Sequence, residues 1–126
     1  MAGPQDQRGR HPRQRDRVRP HDLFNRAKEF ETRFQPDEAL PVLERLFQVK
    51  PDHEGGKKLQ ALIQRRQEAT KVRGGEIEQW VRQADRAYGQ GDLRKASELY
   101  QQALELDYYN TSLRRKIDDV RRELGR

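Results

Sequence analysis

Histidine, the side chain best suited to proton transfer near neutrality and to metal ligation, occurs only as His11, His21 and His53. No two of them share a helix turn, and no nucleophile-elbow, Walker or dinucleotide glycine pattern is present. Cysteine is absent from all 126 residues, which excludes a disulfide framework, a thiolate zinc site and a cysteine nucleophile together. Carboxylates are plentiful, but Glu29, Glu31, Asp118 and Asp119 are interleaved with Lys and Arg at helical spacing, so they read as solvated ion pairs. A chain with no enzymatic activity, no cofactor and no metal is expected. The arginines have a different chemistry. Arg8, Arg10, Arg13, Arg15, Arg17 and Arg19 stand against Asp6 and Asp16, so the first 20 residues carry four of the six net positive charges. Such a run neutralises phosphates with a strong salt dependence, yet without intervening aromatics it has no stacking platform for sequence readout. Its expected partner is nucleic acid bound non-specifically, or an acidic surface.

The elements around these residues follow from spacing. Only 32% of residues are hydrophobic and 38% are charged. Residues 1–19 have almost nothing to bury and read as a disordered basic arm; lacking serine and an apolar helical face, they do not read as an organellar targeting segment. No apolar run approaches the roughly 20 residues of a membrane span, and no leader-like stretch opens the chain, so a cytoplasmic protein without a transmembrane segment is expected.

From Pro20 the apolar residues recur at helical intervals. Leu23, Ala27, Phe30 and Phe34 predict a first helix with Asp22 as N-cap. Ala39, Leu40, Leu43, Leu46 and Phe47 predict a second after Gln35-Pro36, with a kink or late start at Pro41. Leu59, Leu62, Ile63, Ala69 and Val72 form a third, bracketed by Gly55-Gly56 and Gly74-Gly75. Ile77, Trp80, Ala84 and Tyr88 form a fourth, ending at Gly89-Gln90-Gly91-Asp92, and Ala96, Leu99, Tyr100 and Ala103 a fifth. Leu113, Ile117, Val120 and Leu124 make a narrow stripe on the last, which predicts either a capping helix or self-association through residues 111–124. An all-α, six-helix array is the expected fold.

The pairs Ala27/Ala84, Ala39/Ala96 and Leu43/Tyr100 are each separated by 57 residues, so the chain contains an internal repeat. The copy from Ile77 to Asn110 resembles a tetratricopeptide repeat: Trp80, Ala84, Ala87, the Gly91-Asp92 turn, Ala96, Tyr100, Ala103 and Leu104 follow its order, while Gln83 and Tyr108 depart from its leucine and proline. The copy from Pro20 to His53 is weaker, with Leu23, Ala27, Phe30, Ala39, Leu43 and Pro51 in the corresponding places and no glycine at Phe34-Gln35. The resemblance implies two helical hairpins, each trailed by an extra helix, in segments 20–73 and 74–126. In that family ligands lie along the first helix of each hairpin. Carried over by position, the groove would present Phe24, Lys28, Glu31, Val81, Asp85 and Tyr88. Phe24 and Val81 stand where relatives that clamp a terminal carboxylate carry polar groups, which argues against that role. The expected function is a non-enzymatic adaptor holding a partner's peptide or helix. The alternatives are a nucleic-acid-associated factor acting through the arginine arm, and a structural subunit of a larger assembly.

Overall fold

The computed structural model describes residues 19–126, and these form six helices and no strand: α1 Pro20–Thr32, α2 Pro36–Val49, α3 Glu54–Val72, α4 Gly74–Gly89, α5 Leu93–Leu106 and α6 Thr111–Leu124. The protein is all-α. The arm residues Arg8, Arg10, Arg13, Arg15 and Arg17 lie outside the described residues, whereas Arg19 is the exposed N-cap of α1.

Three helix starts differ from the expectation, each for a backbone reason. Pro20 opens α1; having no N–H, it leaves one fewer amide to satisfy, and Arg19 caps in extended conformation without a side-chain bond. Asp22 is therefore not the N-cap but a first-turn acid, placed to oppose the helix dipole. The second helix does not start late: α2 runs from Pro36 straight through Pro41, which is exposed and forfeits one backbone bond without disturbing a buried face. The pair Gly55-Gly56 does not precede α3 but lies in its first turn, where His53 caps by accepting from the Gly56 N–H (2.9 Å). A Cβ at Gly56 would stand 2.7 Å from Leu46 Cδ2, and one at Gly55 2.8 Å from Phe24 Cζ, so these glycines serve close approach.

Two compact units result. The first comprises, of the described residues, 19–33 together with Asp37–Gln60, and it buries Leu23 and Ala27 of α1 and Ala39, Val42, Leu43 and Leu46 of α2. The second comprises Phe34–Pro36 and Ala61–Arg126. There α4 packs on α5 and α5 on α6, around small residues (Ala84, Ala96, Ala103) set against Tyr100, Ile117 and Val120. The two units part inside α3, not at Gly74, although Arg73 interrupts the helix there. The reason is that the later half of α3 is tied to the α5–α6 corner: the Thr70 hydroxyl donates to the Leu106 carbonyl (2.9 Å), and the Arg66 guanidinium lies 3.5 Å over the Tyr108 ring.

The 57-residue offset extends from residue types to backbone. Helices α1 and α4 end at 32 and 89, α2 and α5 span 36–49 and 93–106, and α3 and α6 begin at 54 and 111. At the C-terminus of α4, Gly91 takes φ +80, its N–H bonding the Tyr88 carbonyl (3.0 Å) while the Asp92 N–H bonds that of Ala87 (2.9 Å), a Schellman closure. The matching residue after α1 is Phe34, also left-handed at φ +63, and the α1 cap bonds reach the carbonyls of Glu29, Phe30 and Glu31, the counterparts of Arg86, Ala87 and Tyr88. Side-chain caps correspond as well. His53 caps α3, and Asn110 caps α6 through Leu113 N–H (2.9 Å).

Candidate functional site

A concave feature that brings sequence-predicted site residues together lies among α4, α5 and α6. Asp85 and Tyr88 project from α4, Lys116 and Asp119 from α6, and Tyr100 with Val120 forms the floor of a cleft of about 280 Å3. Helical spacing explains the arrangement. Ala84 and Ala87 turn to the core, which carries their neighbours Asp85 and Tyr88 to the rim; Ile117 and Val120 do the same for Lys116 and Asp119.

The cleft is held by charge-assisted hydrogen bonds. The buried Tyr100 hydroxyl donates to Asp85, whose carboxylate also accepts from Lys116 Nζ (3.4 Å). The Tyr88 hydroxyl donates to Glu123 Oε1 (3.3 Å), and Arg122 pairs with Asp119. Burial, then the bond to Asp85, raises the Tyr100 pKa above its ordinary 10.0, and the Glu123 bond and charge raise that of Tyr88. Both phenols thus remain neutral donors to carboxylates.

The six predicted groove residues divide. Asp85 and Tyr88 meet at the cleft, but Val81 is partly buried against the core of α4–α6 and does not join them. In the first unit the Phe24 ring lies against Gly55 and at 5.0 Å, centroid to centroid, from the His53 ring, so it is covered by the start of α3. Lys28 Nζ stands 5.2 Å from that same ring and is exposed, and Glu31 is partly buried. Tyr100, Lys116, Asp119 and Glu123 were not predicted as site residues. A sequence signal existed for Tyr100 and Lys116, as the large residue of α5 and a flank of the α6 stripe, but their convergence depends on how the helices pair.

The stripe on α6 is consumed internally. Leu113, Ile117 and Val120 are 3%, 3% and 2% exposed within the α4–α6 core, and only Leu124 is left at 45%. Three residues of the stripe thus face the core of the helix's own unit, where a capping helix would place them, and of the four Leu124 alone is left for a contact through residues 111–124. A second, larger hollow of about 540 Å3 lies at the α5–α6 corner, beside Phe34, Tyr108 and Arg114. Arg114 is spent on the fold: its guanidinium covers the Phe34 ring at 3.8 Å, and it donates from Nε (3.1 Å) and Nη2 (2.6 Å) to the Tyr108 carbonyl.

Among the described residues no group of three His, Asp or Glu side chains is arranged to hold a metal, and no helix is long and apolar enough to cross a membrane. Compared with protein-family models, curated proteins and solved structures, the chain finds no match.

Proposed function

We propose that the chain is a non-enzymatic adaptor of the tetratricopeptide type, holding a partner's peptide or helix on the α4/α6 side of its second hairpin. The observation that carries this reading is the cleft, where Asp85 and Tyr88 leave the core and line an open hollow with residues from two other helices. The repeated helix boundaries and the paired left-handed turns at Phe34 and Gly91 support the family assignment. Helix-in-groove or extended-peptide docking is the corresponding mode.

Affinity capture from cell extract with three versions of the chain tests it: wild type, Tyr88→Ala, and Arg82→Ala, whose side chain is 70% exposed and pairs with Glu78 on α4. The expected outcome is a discrete set of proteins retained by wild type and Arg82→Ala and lost by Tyr88→Ala, at equal helicity by circular dichroism. Equal recovery by all three sinks the assignment of the cleft.

A further inference from the structure

On the flank of α4 away from the cleft, a smaller hollow of about 190 Å3 lies against the start of α5, lined by Gln83, Arg86, Ala87, Gln90 and Lys95. Its walls hold two cations and two carboxamides but no carboxylate, whereas the cleft has Asp85 and Asp119 and the α5–α6 hollow has Glu105 and Asp118. The sequence prepares this face. Gln79, Gln83, Arg86 and Gln90 recur at helical spacing, so one strip of α4 reaches its C-cap without an acid. The four polar lining residues are exposed, and among the described residues the side chains of Arg86 and Lys95 have no hydrogen-bond or ion-pair partner.

The neighbouring charges are committed elsewhere. Arg82 pairs with Glu78, Asp85 with Lys116 and Tyr100, and Asp92 turns Oδ1 to the Lys95 N–H (3.2 Å) as the cap of α5. The left-handed Gly91 and the closing bonds of its turn bring Arg86 and Lys95 to one mouth, each on the end of a helix, so little backbone freedom is left to lose on binding. A guanidinium fork gives a carboxylate two parallel N–H bonds, an ammonium adds a point charge, and carboxamide N–H groups can meet the remaining lone pairs. The hollow is smaller than the roughly 300–1,000 Å3 of small-molecule sites and has room for one side chain.

We infer that this hollow receives the carboxylate of an aspartate or glutamate side chain on a partner protein, with Arg86 and Lys95 supplying charge and Gln83 and Gln90 hydrogen bonds. The contact stands apart from the cleft and does not depend on it. The net charge of +6 assists the approach of an acidic partner, and salt weakens the contact because both cations are exposed.

The test is an NMR titration of the full chain with three probes, the N-acetyl amides of glutamate and of glutamine and inorganic phosphate, at low and high salt. Wild type is compared with Arg86→Gln, Lys95→Gln and Arg94→Gln, the last an exposed cation outside the lining, at equal helicity by circular dichroism. Saturable shifts of the Gln83 and Gln90 carboxamides with the glutamate probe, absent with glutamine and reduced by salt, are expected. Arg86→Gln or Lys95→Gln should weaken binding about tenfold, as for loss of a charge-assisted contact, and Arg94→Gln should leave it unchanged. Equal shifts with glutamine, no shift with glutamate, or equal weakening by Arg94→Gln, the mark of a diffuse field, would overturn the inference. Tighter binding of phosphate than of the glutamate probe would overturn the carboxylate as occupant.

Discussion

At Gly56 a methyl group would meet Leu46, which is fully buried and has no room to turn, whereas at Gly55 it would meet only the tip of the Phe24 ring. Gly56→Ala should therefore lose about 1–2 kcal/mol, overpacking outweighing the gain in helix propensity. Gly75→Ala should gain up to about 1 kcal/mol, since nothing lies within 4 Å of the added carbon. Urea denaturation of the two variants checks the opposite signs. Phe34 gives a second inversion. Its φ of +63 strains any side chain, so Phe34→Gly should be more stable than Phe34→Ala by about 1 kcal/mol, although both forfeit the ring beneath Arg114. Tyr100 sets an alkaline limit. Because its folded pKa lies above the unfolded 10.0, its contribution is complete below pH 10 and is lost as pH climbs beyond it, where only the unfolded chain releases the proton. Stability measured between pH 9 and 11 should fall less steeply in Tyr100→Phe. None of these features was legible in residue types alone: Gly55-Gly56 looks like a loop signal, and nothing about phenylalanine announces a left-handed backbone.

Helices were the readable level, because their apolar residues recur with a period no strand shares. The stripes of α1, α2, α4, α5 and α6 turned inward as their spacing required except at Tyr88 and Leu124, 42% and 45% exposed, and Val72, counted with the α3 stripe, is 64% exposed. Caps were less readable. Asp22 has the right chemistry and the wrong place, since Pro20 opens the helix two residues earlier, while His53 caps α3 from a position where asparagine would be the natural choice. His53→Ala should cost about 1 kcal/mol, and His53→Asn, which copies Asn110, should cost much less by thermal denaturation. On α6 the inward stripe makes Ile117→Asp a folding defect: tertiary signals across α4–α6 should collapse, with no intermediate dissociation step visible by light scattering.

The whole molecule divides where side chains, not helix ends, dictate. A boundary at Gly74 follows from composition, yet Thr70 and Arg66 commit the end of α3 to the α5–α6 corner, a contact between residues 36 to 42 positions apart that no local pattern encodes. Thr70→Val leaves the Leu106 carbonyl without this donor and should cost about 1 kcal/mol. Hydrogen exchange should quicken around residues 106–110 while amides of α1 and α2 keep their rates, since those helices belong to the other unit. The cleft was half legible for the same reason: α4 supplied Asp85 and Tyr88 by register, but α6 supplied Lys116 and Asp119 only through tertiary pairing.

The left-handed turn after α1 bears on descent. Between the two halves only Ala27/Ala84, Ala39/Ala96 and Arg65/Arg122 are identical pairs at the common offset, yet the backbone inverts at the same point in each. If one half arose by copying the other, the inversion outlived the glycine suited to it, and the side chain now standing there has been recruited to lie under an arginine from a helix 80 residues away. Inheritance of this kind acts on the path of the chain, and residue identity is free to drift until a replacement finds a second employment.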